Sequence, residues 1–468
     1  MTGSAAATGS GSAPAQSAPR SALVSWVLFD WAAQPFYALI QTFLFAPYFA
    51  TAVVDNPERG QAIWGYAAAA AGVIVAIGSP LLGAIADTGG RRKPWVALFS
   101  LIMIAGMTAL WLAKPGIGGS TFWLVLGAYA ITFAAAEFAA VFVNSIMPTL
   151  VTPDKLGRLS GIGWGIGYAG GLVSLILVAA LVVTDPASGK TLLGLDPLLK
   201  LDAASRESDR LVGPLSAIWF ALFVLPFFLF VPDRKAETIS RVSFGEALSR
   251  LGQTLKELPG HRDILILLVA RLLYADALAA IFIFGGIYGT AVFNWGTFDR
   301  GIFGIILSLA GAIGAIAGGI LDDRRGAKAV IVGSLALMLI GIVGILSIDK
   351  GHILFGVAVP EKAAGSRAFS TLGEITYLGF AILIGLVAAP VQAATRSLLA
   401  RLAPADQMTQ FFGLFAFSGK ATAFLAPLAI ALITEATGSQ RWGVAVTAVF
   451  LALGLLLMLA LKEPKRTA

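Results

Sequence analysis

The sequence predicts an all-α integral membrane protein: twelve transmembrane helices in two pseudo-symmetric six-helix bundles. Three observations carry that expectation. The 468-residue chain is 57% hydrophobic and only 13% charged, with a mean hydropathy of +0.84. That leaves too little charge to cover a water-soluble surface of this size. Twelve apolar runs reach the roughly 20 residues that a bilayer-crossing helix needs. Finally, a charged loop recurs half a chain later. Gly83-Ala-Ile-Ala-Asp87-Thr-Gly-Gly90-Arg91-Arg92-Lys93 is echoed by Gly318-Gly-Ile-Leu-Asp322-Asp323-Arg324-Arg325-Gly326-Ala-Lys328, with Asp and Lys each displaced by 235 residues. Such repeats in transporters put the substrate site between the two halves.

In chain order, residues 1–20 are rich in Ala, Ser, Gly, Pro and Thr, a composition that reads as a disordered tail. The first bundle occupies 21–231, with spans near 22–52, 61–86, 94–113, 121–150, 158–184 and 211–231. A charged segment, 232–262, follows as a cytoplasmic linker. Phe244, Leu248, Leu251, Leu255 and Leu258 fall at helical spacing there, which fits either a helix on the membrane surface or a solvated connector. The second bundle, 263–462, has spans near 263–292, 299–321, 327–348, 370–394, 409–435 and 441–462, and 463–468 form a tail. Most of the 33 Lys and Arg fall on the side of the termini, which makes both termini and the 83–93 loop cytoplasmic. The net charge of +7 follows from that bias and does not point to nucleic acid.

Within the loop, Gly83 permits close approach of another helix. Asp87 is placed to accept backbone N–H groups from a neighbouring helix N-terminus. Gly89 and Gly90 allow the turn, and Arg91, Arg92 and Lys93 are expected in the interface, paired with Asp87 or lipid headgroups. The second copy has Arg where Gly is expected at 325, which predicts a weaker, asymmetric partner.

Ionisable residues inside spans cost several kcal/mol unless they are paired or face a wet cavity. Asp30, Gln34, Tyr37 and Gln41 are spaced by four, three and four, and so share one helix face. Glu137 and Asn144 share another. Asp30 and Glu137 are the candidates for proton coupling, the alternative being structural pairing, for Asp30 with Arg271 or another cation. Gln34, Tyr37, Asn144, Arg271 and Tyr274 are the candidates for substrate binding, because a guanidinium can hold a carboxylate through two hydrogen bonds. Asp276 and Lys420 are expected in structural charge pairs, Lys420 with Asp276 or Glu137. The glycines from Gly161 to Gly171 give a smooth packing face.

The Gly83–Lys93 loop resembles the loop motif of the major facilitator superfamily, which implies that fold and a cytoplasmic gate formed by Gly83, Asp87, Gly90, Arg91, Arg92 and Lys93. Phe29-Asp30-Trp31-Ala-Ala-Gln-Pro-Phe-Tyr37, Asn144-Ser-Ile-Met-Pro148, Gly157–Tyr168, Arg271-Leu-Leu-Tyr274-Ala-Asp276 and Phe411–Ala421 are similar to the vacuole-effluxer-like branch, also called the unknown major facilitator family. The resemblance runs from about residue 25 to 435 and departs at Ala33 and Ala393, where small polar residues are expected. It implies that spans one, four, seven and ten line a central pathway, and it suggests amino acids as the solute.

The expectation is a monomeric secondary transporter in a bacterial-type inner membrane, moving a small zwitterionic or anionic solute by alternating access, in contact with membrane lipid and without a cofactor. No nucleotide-binding loop or nucleophile–base pair is evident. The absence of cysteine and the presence of only two histidines leave no metal set, so the chain does not read as an enzyme. Two other readings fit the same residues: an uncoupled facilitator or multidrug exporter of this fold, and a non-transporting receptor or lipid-handling protein.

Overall fold

The computed structural model describes residues 17–463 except 90, 186–187, 192, 234–243, 296, 364–365, 367–368 and 424. Gly90, most of the N-terminal tail, the middle of the linker and the last five residues therefore lie outside the described residues. Eleven helices are long and apolar enough to cross a membrane: Arg20–Val53, Arg59–Asp87, Lys93–Leu112, Gly119–Thr149, Pro153–Leu181, Glu207–Phe230, Arg262–Phe293, Asp299–Arg325, Ala327–Leu346, Leu372–Leu402 and Gln440–Ala460. The remaining expected span, a continuous helix over 409–435, needs correction. It forms two shorter helices, Met408–Ser418 and Leu425–Thr437, joined by turns. Together these pieces make the twelve-span, two-bundle architecture. Large apolar side chains such as Ile77, Leu101 and Leu229 stand exposed on its outer surface, as lipid-facing positions must in a membrane protein.

Local chemistry explains the irregular helices. Pro35 lies in the first span and deprives it of an N–H donor. The following stretch Phe36–Phe43 widens to a π-helix, with the Leu44 N–H reaching back to the Leu39 carbonyl. The tenth span starts at a capping box. The Thr371 side chain accepts the Glu374 N–H, while Glu374 accepts the Thr371 N–H at 3.2 Å. That helix runs to Leu402, past the expected end at 394, and so carries Arg396 and Arg401 within its last turns.

Packing follows the repeat. In the first half, span one packs on five and six, three on four and six, and two on four; in the second, seven and nine pack on twelve, and eight and nine on ten. The halves meet where two packs on eleven and where five packs on eight, a pair of crossings related by the repeat. Each half is also clasped by a carboxylate following its last span. Asp233 accepts the N–H groups of Arg92 and Lys93 at 3.0 and 3.2 Å, and the Lys93 ammonium donates to the Phe228 carbonyl at 2.9 Å. Glu463 likewise accepts from Ala327 and Lys328, both at 3.0 Å, while the Lys328 ammonium reaches the Leu459 and Leu461 carbonyls. Between the halves, Phe244–Glu257 is helical and packs on the second span. Its Thr254 hydroxyl donates to Gln407 at 3.5 Å, but Leu255 is half exposed.

Candidate functional site

Polar ties between the halves gather towards the end of the bundle that carries the Asp87 loop. Asp87 closes the second span and accepts the backbone N–H groups of Thr409 and Gln410 at 3.0 and 2.8 Å. These are among the first N–H groups of Met408–Ser418, which have no partner within their own helix. Approach that close depends on Gly83, where a Cβ would lie 2.6 Å from the Thr409 carbonyl oxygen and 2.8 Å from the Gln410 Cα. The Arg92 guanidinium donates to the Thr409 hydroxyl and the Ser145 carbonyl, both at 3.0 Å, and lies 3.5 Å from Asp87. Arg92 is only 5% exposed, so it is a buried cross-brace rather than an interfacial charge. Arg91 is exposed.

The second copy, expected to be the weaker partner, also makes ties between the halves. Asp323 accepts the Arg158 N–H at 3.0 Å, near the start of the fifth span. Asp322 is fully buried, accepts from the Ser397 hydroxyl, and pairs with Arg401 at 2.7 Å. Arg401 also donates to the Pro153 carbonyl across the halves at 3.1 Å. The turn glycine is present too, one residue later than expected: Gly326 has φ of +98°, in the region that only glycine enters without strain. Gly161 and Gly319 let spans five and eight touch backbone to backbone, since a Cβ on Gly319 would lie 2.6 Å from the Gly157 carbonyl oxygen.

One layer deeper, Arg396 bridges the halves. Its Nη1 lies 3.3 Å from Asp30 and donates to Asn144 at 3.1 Å. Its Nε donates to the Ser160 hydroxyl at 2.8 Å, and Nη2 to the Ser160 carbonyl at 2.7 Å. Trp26 covers the guanidinium at 5.0 Å. Asp30 is thus paired, with Arg396 and not with Arg271. Sequence reading missed Arg396 because the tenth span was ended two residues before it. The glycine face of span five makes room for the first-span stripe: Cβ atoms at Gly167 and Gly171 would stand 3.4 Å from Asp30 Cβ and 2.8 Å from Gln34 Cγ.

Nearer mid-membrane, Lys420 meets Glu137 at 3.1 Å, with side chains 26% and 19% exposed. The Lys420 ammonium also lies 4.8 Å over the Phe133 ring, and Tyr37 lies beside Glu137. Between residues 132 and 147 of the fourth span, only Glu137, Ala140 and Asn144 escape full burial, so the two polar residues mark that helix's open face. Arg271 donates to the Phe415 carbonyl at 2.5 Å and to the Ser418 hydroxyl at 3.1 Å, and stacks 3.6 Å from the Phe415 ring centroid. Tyr274, despite its expected place beside Arg271, is fully buried and hydrogen-bonds the Thr395 hydroxyl at 2.6 Å. Asp276 is 1% exposed and makes no ion pair with Lys420 among the described residues.

This arrangement explains the broken eleventh span. Where a helix stops inside a bilayer, its free carbonyls and N–H groups must be satisfied by protein. At the end of Met408–Ser418 the N–H groups of Gly419, Lys420 and Ala421 take the Phe415, Ala416 and Phe417 carbonyls, and Arg271 adds a donor to Phe415 and positive charge at the carbonyl end of the helix dipole.

The chain resembles known proteins over nearly its whole length. An uncharacterized MFS-type transporter, YxiO, of Bacillus subtilis is 26% identical over 95% of each chain. Autophagy-related protein 22-1 of Neosartorya fischeri is 25% identical over 71% of this chain. The chain matches about half the length of that fungal relative, 53%. Among solved structures, a bacterial homologue of the iron transporter ferroportin in an outward-facing state superposes with a TM-score of 0.66 at 15% identity, covering 94% of this chain and 98% of that one. The model of the family described as vacuole effluxer Atg22 like matches residues 50–468. With that match and this fold, the chain is a major facilitator superfamily transporter and belongs to the Atg22-like family.

Proposed function

We propose that this transporter moves a small zwitterionic or anionic solute, an amino acid in the first instance, by proton-coupled alternating access. The observation that carries the reading is the partly open Glu137–Lys420 pair joining spans four and eleven. A carboxylate and an ammonium held side by side complement a zwitterion, whose own ammonium and carboxylate can replace each protein partner in turn. Tyr37 and Arg271 lie near Glu137, and with Gln34, on the same helix face as Tyr37, they would orient the solute. Tyr274 supports the site from behind through Thr395. Protonating Glu137 would release Lys420, and protonating Asp30 would release Arg396, so each pairing links proton binding to separation of the halves. The fungal relatives' family description as vacuole effluxers agrees with small-solute traffic.

The excess of Lys and Arg on the side of the termini supports a cytoplasmic location for the Asp87 loop in a bacterial-type inner membrane. On that reading the conformation described is closed to the cytoplasm, and Asp87, Arg92, Asp322, Asp323 and Arg401 form the gate that holds it. The test is uptake into proteoliposomes under an imposed pH gradient, with a panel of radiolabelled amino acids. Accumulation that persists undiminished in both Glu137→Gln and Asp30→Asn would remove the proton assignment. Absence of counterflow of any amino acid would remove the amino-acid reading.

A further inference from the structure

We propose that Asp276 and Thr422, at the break in the eleventh span, form a proton-binding site in the second half, separate from the Asp30 and Glu137 pairs. Asp276 is 1% exposed, and neither of its carboxylate oxygens has a hydrogen-bond partner. The Thr422 hydroxyl, in the turns of the break, is also buried without a partner and is the polar group beside it. An ionised carboxylate in such a place would carry a large solvation cost with only the nearby Thr422 hydroxyl to offset it, whereas the neutral acid fits.

The charges that could offset it are committed elsewhere. Arg271, on the same helix, is bound to Phe415 and Ser418; Lys420, in the break, is bound to Glu137. The neighbouring spans ten and twelve contribute Thr395, bound to Tyr274 and Val391, and Thr447, bound to Val444. Among the described residues no cation lies within ion-pair distance of Asp276.

The approach to this acid would be from the end of the bundle opposite the Asp87 loop. A cavity of about 280 Å³ sits there between spans seven, eleven and twelve, lined by Phe284, Tyr288, Ile430, Thr434, Glu435 and Val444. Phe284 is two turns along span seven from Asp276, about 12 Å at the helical rise. Between them lies an apolar cluster in which Ala280 of span seven packs with Ala426 and Ile430 of span eleven, flanked by Phe284, Val446 and Phe450. Thr422 belongs to a segment that is not helical, so it can turn its hydroxyl towards the carboxylate once the proton leaves. Proton loss then favours rearrangement of the break and of the cavity wall beyond it. This step couples to transport only on the reading given above, but the site itself does not depend on the solute.

The native chain has no cysteine, so introduced cysteines alone carry label. Spin labels at Gln61→Cys and His352→Cys, one in each half at the end opposite the Asp87 loop, report the conformation of the full chain in nanodiscs from pH 5 to 9. In sodium-free buffer the distance distribution should move between two populations as pH rises. Asp276→Asn should abolish a step of that titration and hold the low-pH population, and Asp276→Glu should restore a step at a displaced midpoint. Thr422→Val, which removes the hydroxyl that would stabilise the anion, should raise the midpoint and serves if Asp276→Asn does not fold. A titration unchanged in Asp276→Asn or in Thr422→Val overturns the proposal. So does a shift that follows sodium concentration at fixed pH and ignores pH, which would make this a metal-cation site. Loss of counterflow with the titration intact would sink the amino-acid reading and leave this site standing.

Discussion

The two crossings between the halves, span two on eleven and span five on eight, achieve one geometry by different chemistry. At the first, a single carboxylate takes two backbone N–H groups: Asp87 holds Thr409 and Gln410. At the second the task is divided. Asp323 takes the Arg158 N–H, and Asp322 holds Arg401, which reaches the Pro153 carbonyl in the other half. The repeat constrains where negative charge meets a helix start, and leaves open which residue supplies it. A loop that reads as degraded therefore still makes contacts across the halves, as does the one that matches its motif.

The largest effect expected from testing this comparison lies at the bridge between the crossings. Arg396→Met leaves Asp30 without its cation and Ser160 and Asn144 without their donor, a loss of about 3–5 kcal/mol to the closed arrangement. Spin-label distances across the Asp87 end should then show the open population dominating. Next come Asp87→Asn and Asp323→Asn, each removing charge-assisted bonds worth about 1.5–3 kcal/mol. The two should open that end to a similar degree; an effect confined to Asp87→Asn would restore the asymmetric latch that the motif comparison suggests. Bulk at the contacts is a milder probe. Gly83→Ala and Gly319→Ala should each cost about 1–2 kcal/mol of closure through overpacking, read by faster cysteine labelling of Arg158→Cys. Smallest of all, Arg91→Ala should change thermal stability by under about 0.5 kcal/mol, because Arg91 is exposed while Arg92 is buried.

Much of the architecture was legible because hydropathy reports span length directly, and the repeat reports symmetry. The stripe Asp30, Gln34, Tyr37 and Gln41 was legible from spacing alone. What escaped has a common cause: partners lying far apart in sequence. Nothing local in Gly419–Ala423 announces a break, and the cation at the helix end, Arg271, comes from almost 150 residues earlier. Arg396 looked like a loop cation because a charge near a span end is normally outside it, and only Asp30, Asn144 and Ser160 together make its burial tolerable. Asp276 and Lys420 were both recognised as out of place, but which carboxylate the lysine would choose depends on helix packing that no one-dimensional pattern encodes.

The carboxylates that follow spans six and twelve have a practical meaning for anyone handling this protein. Asp233 and Glu463 tie the segment after the last helix of each half to the start of its third. Such a tie resists splaying of those two helices, which favours rocking of each half as one piece over motion within it. It also sets a limit on engineering. A purification tag fused directly after Leu461, with Glu463 trimmed away, would unfasten one clasp and leave the other intact, turning a routine truncation into a change in how the two halves share the load.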